Sequence, residues 1–215
     1  MEDRTSAGLY LEMSGGTPEG YANERVPHLL GLAEVERASW WRNLRPHREE
    51  FPRHVPEFET LGVYEVGEGF RAPEPPEGIA GHHFRRTPRP GQGNLSGKPT
   101  LGLELVLVSP LHPEGAGALR DWADFLHIRE IAAASVPGFT MITPYENASG
   151  GEPRFLHFYE MDTPDAEEAF QTMTPVTLER RVRQPGGPGT KAWAGHPELR
   201  IDYVNTFTRV GEQAR

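Results

Sequence analysis

The chain has 215 residues and a formal net charge of −9, with 36% hydrophobic and 25% charged residues, 24 glycines, 21 prolines and no cysteine. That length suits one large domain or two small ones, with Pro/Gly-rich loops joining a few core segments. The lack of cysteine excludes disulfides, thiolate chemistry and cysteine-ligated metals, and the acidic balance argues against a phosphate-backbone partner.

In chain order, the first predicted element is a strand, "GLYLEMS", Gly8 to Ser14, by its period-2 alternation. A helix follows, with Thr17 as cap, Pro18 at the first helical position, and Tyr21, Arg25, His28 and Leu29 at helical spacing before Gly31. "GVYEV", Gly62 to Val66, reads as another strand. Residues 67–100 read as a Pro/Gly-rich linker: "GEGFRAPEPPEGIAG" stands where a second helix belongs, and "HHFRRT" is a candidate fourth strand. The basic run His82 to Pro90 is read as a solvated strand or loop rather than a nucleic-acid patch.

The pattern then recurs. "GLELVLVS", Gly102 to Ser109, opens with Gly-Leu as the first strand does, 94 positions on, and "HFYEM" matches "GVYEV" with Tyr159 set against Tyr64 at an offset of 95. Between them Leu119, Trp122, Ala123 and Leu126 form one apolar stripe of a helix that must stop by Pro137-Gly138. Strands are expected at Phe139 to Tyr145 and Arg154 to Met161, joined by "ENASGGEP". Thr163-Pro164 is expected to cap a second helix with acidic residues in its first turn. A loop, Gln184 to Pro188, leads to a last strand, Leu199 to Val210.

Strand, helix, strand, strand, helix, strand is the ferredoxin-like order. The expected fold class is therefore α+β: two ferredoxin-like (βαββαβ) repeats, residues 1–100 and 101–215, the first lacking its second helix. Each sheet has one bare face, so the two are expected to pack sheet-to-sheet as an intramolecular dimeric α/β barrel.

Three segments resemble the dimeric α/β-barrel superfamily, in particular its EthD-like branch. There the first helix carries an aromatic, a His and a hydrophobic-Pro-x-Leu-Leu run, and Pro-Gly opens the next strand. "YANERVPHLLGL", Tyr21 to Leu32, is similar, with Arg25 where the family has His. "DWADFLHIREIAAASVPGF" places His127 at the His position and Val136-Pro137-Gly138-Phe139 at the strand opening. "EPRFLHFYEMDTPDAEEAF" is similar to the third strand and second helix. Two departures stand out: the first half lacks the His, and Arg129 replaces the Pro in the second. The resemblance implies a small-molecule partner and, if the His does chemistry, a site in the second half. The superfamily holds cofactor-free monooxygenases, isomerases, cyclases and haem-binding enzymes, so fold selects no reaction.

His127 is the candidate acid/base, with Asp124 or Glu130 as groups that would orient its ring. Tyr145, Tyr159 and Arg129 are candidates to hold an oxyanion. Trp122 and Phe125 would form an aromatic wall, and Tyr21, Arg25 and His28 are further binding candidates. For each of these the structural alternative is a core aromatic or a solvated helix charge.

Other motifs fail. "GNLSGK" is one residue short of a phosphate loop, no G-x-S-x-G or H-E-x-x-H occurs, and His47, His54, His82 and His83 lack carboxylates at ligand spacing, so no metal is expected. The leading expectation is a cofactor-independent enzyme, of isomerase, cyclase or monooxygenase type, acting on an apolar or aromatic carbonyl compound. The alternatives are a non-catalytic carrier of a hydrophobic metabolite and a haem protein ligated by His127. No run approaches the roughly 18 apolar residues of a membrane span, and the first residues lack a signal-peptide pattern. The expectation is thus a cytoplasmic protein with no membrane or nucleic-acid partner, for which pairing into a homodimer stays open.

Overall fold

Along the first strand Leu9, Leu11 and Met13 alternate with Tyr10 and Glu12, and all five are buried. A strand buried on both faces needs cover on each side, and the fold supplies it with a closed ring inside and helices outside. A computed structural model describes residues 6–183 and 193–215. Its strands are β1 (Gly8–Ser14), β2 (Val35–Asn43), β3 (Thr60–Val66), β4 (Ile79–Arg86), β5 (Gly102–Pro110), β6 (Phe139–Asn147), β7 (Phe155–Met161) and β8 (Leu199–Ala214). They close into one antiparallel barrel in the order β1-β3-β2-β8-β5-β7-β6-β4.

Within each set of four strands the first lies between the fourth and the third, and the second lies outermost beside the third. The two sets meet edge to edge. Residues Arg37 to Asn43 of β2 pair with Ala214 to Phe207 of β8, and Phe84 to Arg86 of β4 pair with Asn147 to Tyr145 of β6. The expected packing of the two sheets is thus achieved by hydrogen-bonded seams, which leave no open edge. Leu9, Leu11, Leu61, Val63, Leu103, Leu105, Leu107, Leu156, Phe158 and Phe207 fill the interior from both sets.

Outside the ring lie α1 (Pro18–Glu24), α2 (Val26–Leu30), α3 (Ala116–Trp122), α4 (Ile128–Ala134) and α5 (Ala166–Arg183), with a π-helical turn, Ala123–His127, joining α3 to α4. Thr17 caps α1 as expected, its Oγ1 accepting from the Gly20 N–H at 3.3 Å. The single helix expected there is two short ones, because Pro27 has no N–H to continue the ladder and the chain breaks at Arg25. In the second half the expected single helix is likewise interrupted, by the π-turn. The second helix of that half begins at Ala166 rather than Pro164, although Thr163 Oγ1 does accept from the Asp165 N–H. Strand β2 has no counterpart among the predicted elements, the residues His82 to Arg86 of "HHFRRT" lie in β4 with Thr87 just past its end, and β8 runs four residues past Val210 because its far end forms the seam with β2. The expected loop Gln184 to Pro188 lies outside the described residues. No helix among the described residues is long and apolar enough to cross a membrane.

Gly62 on β3 marks a close approach: a Cβ there would overlap the Tyr21 ring, which packs on that face with its hydroxyl 2.6 Å from that of Tyr64. In helix α3 a Cβ at Gly117 would meet open space. Gly62→Ala should lower stability by about 1–3 kcal/mol, whereas Gly117→Ala should raise it by about 0.5–1 kcal/mol. Urea unfolding of both variants measures the contrast.

Candidate active site

The side of β5, β7 and β8 that faces away from the barrel is covered by α3, the π-turn and α5. Val106, Val108, Ile201 and Val204 from the strands and Trp122, Phe170 and Met173 from the helices line a cavity of about 210 Å³ between them. Phe51, from the loop of residues 44–59 between β2 and β3, also lines it, with its ring edge-on to Phe170 at 6.1 Å. The first half thus contributes to a pocket built on the second. An apolar chamber with a few polar groups is the form a small-molecule site takes.

His127 is the last residue of the π-turn. In an unbroken α-helix residues five apart point about 140° away from each other; the wider π-turn instead stacks His127 on Trp122 at 5.0 Å between ring centres. Trp193 stacks on it as well, at 5.7 Å, and the Trp193 carbonyl lies 3.1 Å from Nδ1. A carbonyl only accepts, so Nδ1 carries the hydrogen and Nε2 keeps a lone pair. Burial lowers the imidazole pKa to about 4, reinforced by His157 and opposed by the Trp193 hydrogen bond. At neutral pH His127 is an uncharged base.

Glu104, on β5, lines the same cavity and is 2% exposed. Its Oε2 has no hydrogen-bond partner among the described residues. Burial raises the carboxyl pKa to about 8, with Glu167 adding to the rise and Arg48 opposing it. Arg48 points elsewhere: Nε donates to Asn205 at 3.3 Å, Nη2 pairs with Glu167 and Thr206, and the guanidinium lies 4.6 Å over the Phe170 ring. Tyr159, directly across from Glu104 on β7, is pushed well above its ordinary pKa, first by burial and then by Glu104. His157, also on the cavity wall, is buried with Nε2 3.5 Å from Asp124 Oδ1.

The corresponding face of the first half carries a cluster of buried side chains that includes Tyr10, Tyr21, Leu29 and Tyr64. Tyr10 pairs with Tyr64 there as Glu104 pairs with Tyr159, and the tyrosine rings occupy the space that the cavity takes in the second half. Glu12 is buried beside them, held by Arg25 through Nε at 3.1 Å and Nη2 at 2.6 Å and by the Tyr21 hydroxyl at 3.0 Å. Burial pushes all three tyrosines upward.

Of the residues singled out in the sequence, His127, Trp122 and Tyr159 come together at the cavity. Tyr145 does not: its side chain belongs to the barrel interior, because the alternation of β6 turns it inward. Arg129 lies on the exposed side of α4, and Phe125 is 56% exposed beneath the Arg89 guanidinium, because the π-turn directs both outward. Tyr21 and Arg25 sit in the Glu12 network of the other half, and His28 is exposed. The carboxylates expected to orient His127 are engaged otherwise, Asp124 with Arg89 at 3.2 Å and Glu130 with Arg180 at 2.9 Å; the Trp193 carbonyl takes that role. Glu104, His157, Phe51 and Trp193 were not anticipated. A glutamate interrupting the apolar "GLELVLVS" was the available signal for the first. Among the described residues no group of three or more His, Asp or Glu is placed to hold a metal ion.

No family model and no curated protein matches the sequence. Among solved structures the chain is similar to an anthrone oxidase-like protein, with a TM-score of 0.54 and 16% identity over 99% of this chain and 94% of that one. It is similar also to a Fusobacterium nucleatum protein with a provisional monooxygenase name, with a TM-score of 0.50 and 6% identity over 98% and 96% of the two chains. A chlorite dismutase from Candidatus Nitrospira defluvii matches with a TM-score of 0.47 and 10% identity over 98% and 96%. What the first two share with this chain is the fold.

The buried acid makes a stability prediction. Between pH 4.5 and 8 the unfolded chain has lost the Glu104 proton and the folded chain keeps it, so stability falls as pH rises through that window. His127 acts oppositely, but only between pH 4 and 6.5. Arg48, Glu167, Tyr159 and His157 face Glu104 in both the wild type and Glu104→Gln, so the difference between the two isolates its titration. From pH 6.5 to 8 the wild type should lose about 1–2 kcal/mol relative to Glu104→Gln, measured by urea unfolding across that range.

Proposed function

We propose that this protein is a cofactor-independent enzyme that removes a proton from an apolar or aromatic carbonyl compound bound in the cavity, with His127 as the base. The observation that carries the reading is the ring of His127: held between two indoles, anchored at Nδ1, uncharged at neutral pH and set on the wall of an apolar chamber. Nε2 takes the proton from a carbon next to the carbonyl, or joined to it through a conjugated ring as in anthrone, the C–H electron pair moves toward oxygen, and an enolate results. Return of the proton at another carbon is isomerisation, attack on a second carbonyl is cyclisation, and reaction with dioxygen is oxygenation. The names of two neighbours of like fold, anthrone oxidase-like and monooxygenase, favour the oxidative outcome.

The chain is read here as two ferredoxin-like repeats, residues 1–100 and 101–215, of EthD-like ancestry. Supporting this are the equal strand order in the two halves and the register match of Tyr10 with Tyr64 and Glu104 with Tyr159. The first repeat has lost its pocket to tyrosine packing and serves as scaffold and lid.

Haem does not fit this cavity. Nε2 of His127 is a suitable ligand atom, but both faces of its ring are stacked on indoles, and about 210 Å³ lies below the roughly 300–1,000 Å³ that holds drug-sized ligands, while a tetrapyrrole is larger still.

The test uses anthrone and 2-tetralone, two carbon acids, as substrates, with deuterium exchange in D₂O followed by mass spectrometry and oxygen uptake followed by electrode. Wild type should exchange or oxidise at least one, and His127→Gln, with its fold checked by circular dichroism, should lose about 100-fold or more in rate. Equal rates in the two proteins would remove His127 as the base. Binding without exchange or oxidation would instead make the protein a carrier.

A further inference from the structure

Two buried polar atoms on the cavity wall are left without a partner among the described residues: Oε2 of Glu104 and Nε1 of Trp193. A buried polar atom without a partner is costly, and where its residue lines a cavity a ligand atom can supply the missing partner. The first half shows what a structural glutamate on this kind of sheet face looks like. There Glu12 has a bidentate arginine and a tyrosine hydroxyl, and nothing is left over. Glu104 is as deeply buried, yet the arginine nearest in charge, Arg48, directs Nε and Nη2 to Asn205, Glu167 and Thr206, and its Nη1 likewise has no hydrogen-bond partner among the described residues.

We infer that Glu104 is a second catalytic group, whose carboxyl hydrogen is donated to the carbonyl oxygen of an uncharged ketone while Trp193 Nε1 donates to a further oxygen of the same ligand. The inference rests on the reading of His127 as the base and names the substrate class of that site. Among the described residues no arginine or lysine lines the cavity, so a carboxylate ligand would meet the Glu104 carboxyl there rather than a cation. A neutral ketone meets a donor instead.

The chemistry balances within the site. His127 Nε2 takes the proton of the carbon beside the carbonyl, and that C–H electron pair becomes the new C=C bond. The carbonyl π pair moves to oxygen, which takes the Glu104 proton. The products are the enol, an imidazolium and a carboxylate, with no net change of charge and no oxidant consumed. The need for such a donor follows from the base: an imidazole of low basicity takes a proton from carbon only if the developing oxyanion is met by a strong hydrogen bond in a dry site. Tyr159, beside Glu104 on the next strand, is the neighbouring hydroxyl that completes the polar corner.

The probes are 2-acetylnaphthalene, carbonyl-labelled with ¹³C, and 2-naphthoate, which has a similar shape and a charge. Affinity is measured by calorimetry and the state of the carbonyl by isotope-edited infrared spectroscopy. At pH 6.5 wild type should bind the ketone with its C=O stretch moved to lower frequency, and should bind the naphthoate at least about tenfold more weakly. Glu104→Leu should abolish the shift and weaken the ketone about tenfold. Glu104→Gln, which keeps an N–H donor, should preserve the shift. Above pH 8 the wild type should lose ketone affinity and Glu104→Gln should not. An unchanged C=O shift in Glu104→Leu, or naphthoate bound as tightly as the ketone, overturns the role of Glu104 and leaves His127 standing. A ketone that fails to bind wild type, or binds equally well after Val106→Trp has filled the chamber, overturns the pocket itself and both readings with it.

Discussion

The pairing of β8 with two different strands is the constraint from which the rest of the architecture follows: Leu199 to Thr208 run along β5, and Phe207 to Ala214 run along β2. With the shorter seam between β4 and β6 it closes the ring, so that every strand has a hydrogen-bonded neighbour on each side. Closure commits the inward face. Eight strands leave an interior just wide enough for side chains to fill, and leucines, valines and phenylalanines from both halves do fill it. A ligand can be housed outside the ring, beneath whatever covers the outer faces. That is where the cavity lies, under α3, the π-turn and α5.

The two outer faces receive different cover, and the difference is chemical as well as geometric. In the first half two short helices press Tyr21 down onto Tyr64, with Tyr10 alongside, and the buried Glu12 is answered by Arg25. In the second half the residue opposite the strand tyrosine is Glu104, a smaller side chain, and the space left over is open. Leaving a carboxyl buried and unanswered costs about 1–3 kcal/mol, which a purely structural pocket would have no reason to carry. The first half answers the same problem with an arginine, so the solution was available to this fold. The cost persists where the wall is concave and a base stands on it, as expected of a site whose polar groups await a ligand.

How far the sequence discloses this depends on which period a residue obeys. β1, β3, β5 and β7 are legible because alternation and the repeated Gly-Leu and Tyr positions reinforce one another across 94 or 95 residues. β2, "VERASWWRN", escapes because charged residues stand among its aromatics and its partner on one side, the end of β8, is more than 160 residues away. The π-turn escapes for a different reason: a template of 3.6 residues per turn has no place for the extra residue, so it groups Phe125 and Arg129 with His127 when the backbone separates them. His127 itself is visible through a resemblance, and Trp122 and Tyr159 through proximity to it. Trp193, from the segment between α5 and β8, and Phe51, from the loop between β2 and β3, carry no local pattern that links them to the pocket.

In the proposed reading, an acid and a base that are both uncharged tie the site's electrostatics to its apolar walls. A charged base and a charged acid would each lose hydration against apolar walls, and burial disfavours both charged forms. With His127 held below its ordinary pKa and Glu104 above, both by burial, the resting pocket contains no formal charge on its two reactive groups and can take up an apolar compound without desolvating an ion. In the proposed reaction, proton exchange with the substrate reverses that. It creates an imidazolium and a carboxylate in the same low-dielectric chamber, and the burial that tuned the pair now disfavours the state just formed. The proton on His127 is driven back out toward the substrate and the one given up by Glu104 is driven back in. The same desolvation that prepares the groups therefore also returns them to their starting forms, and it does so with no group beyond those already on the wall.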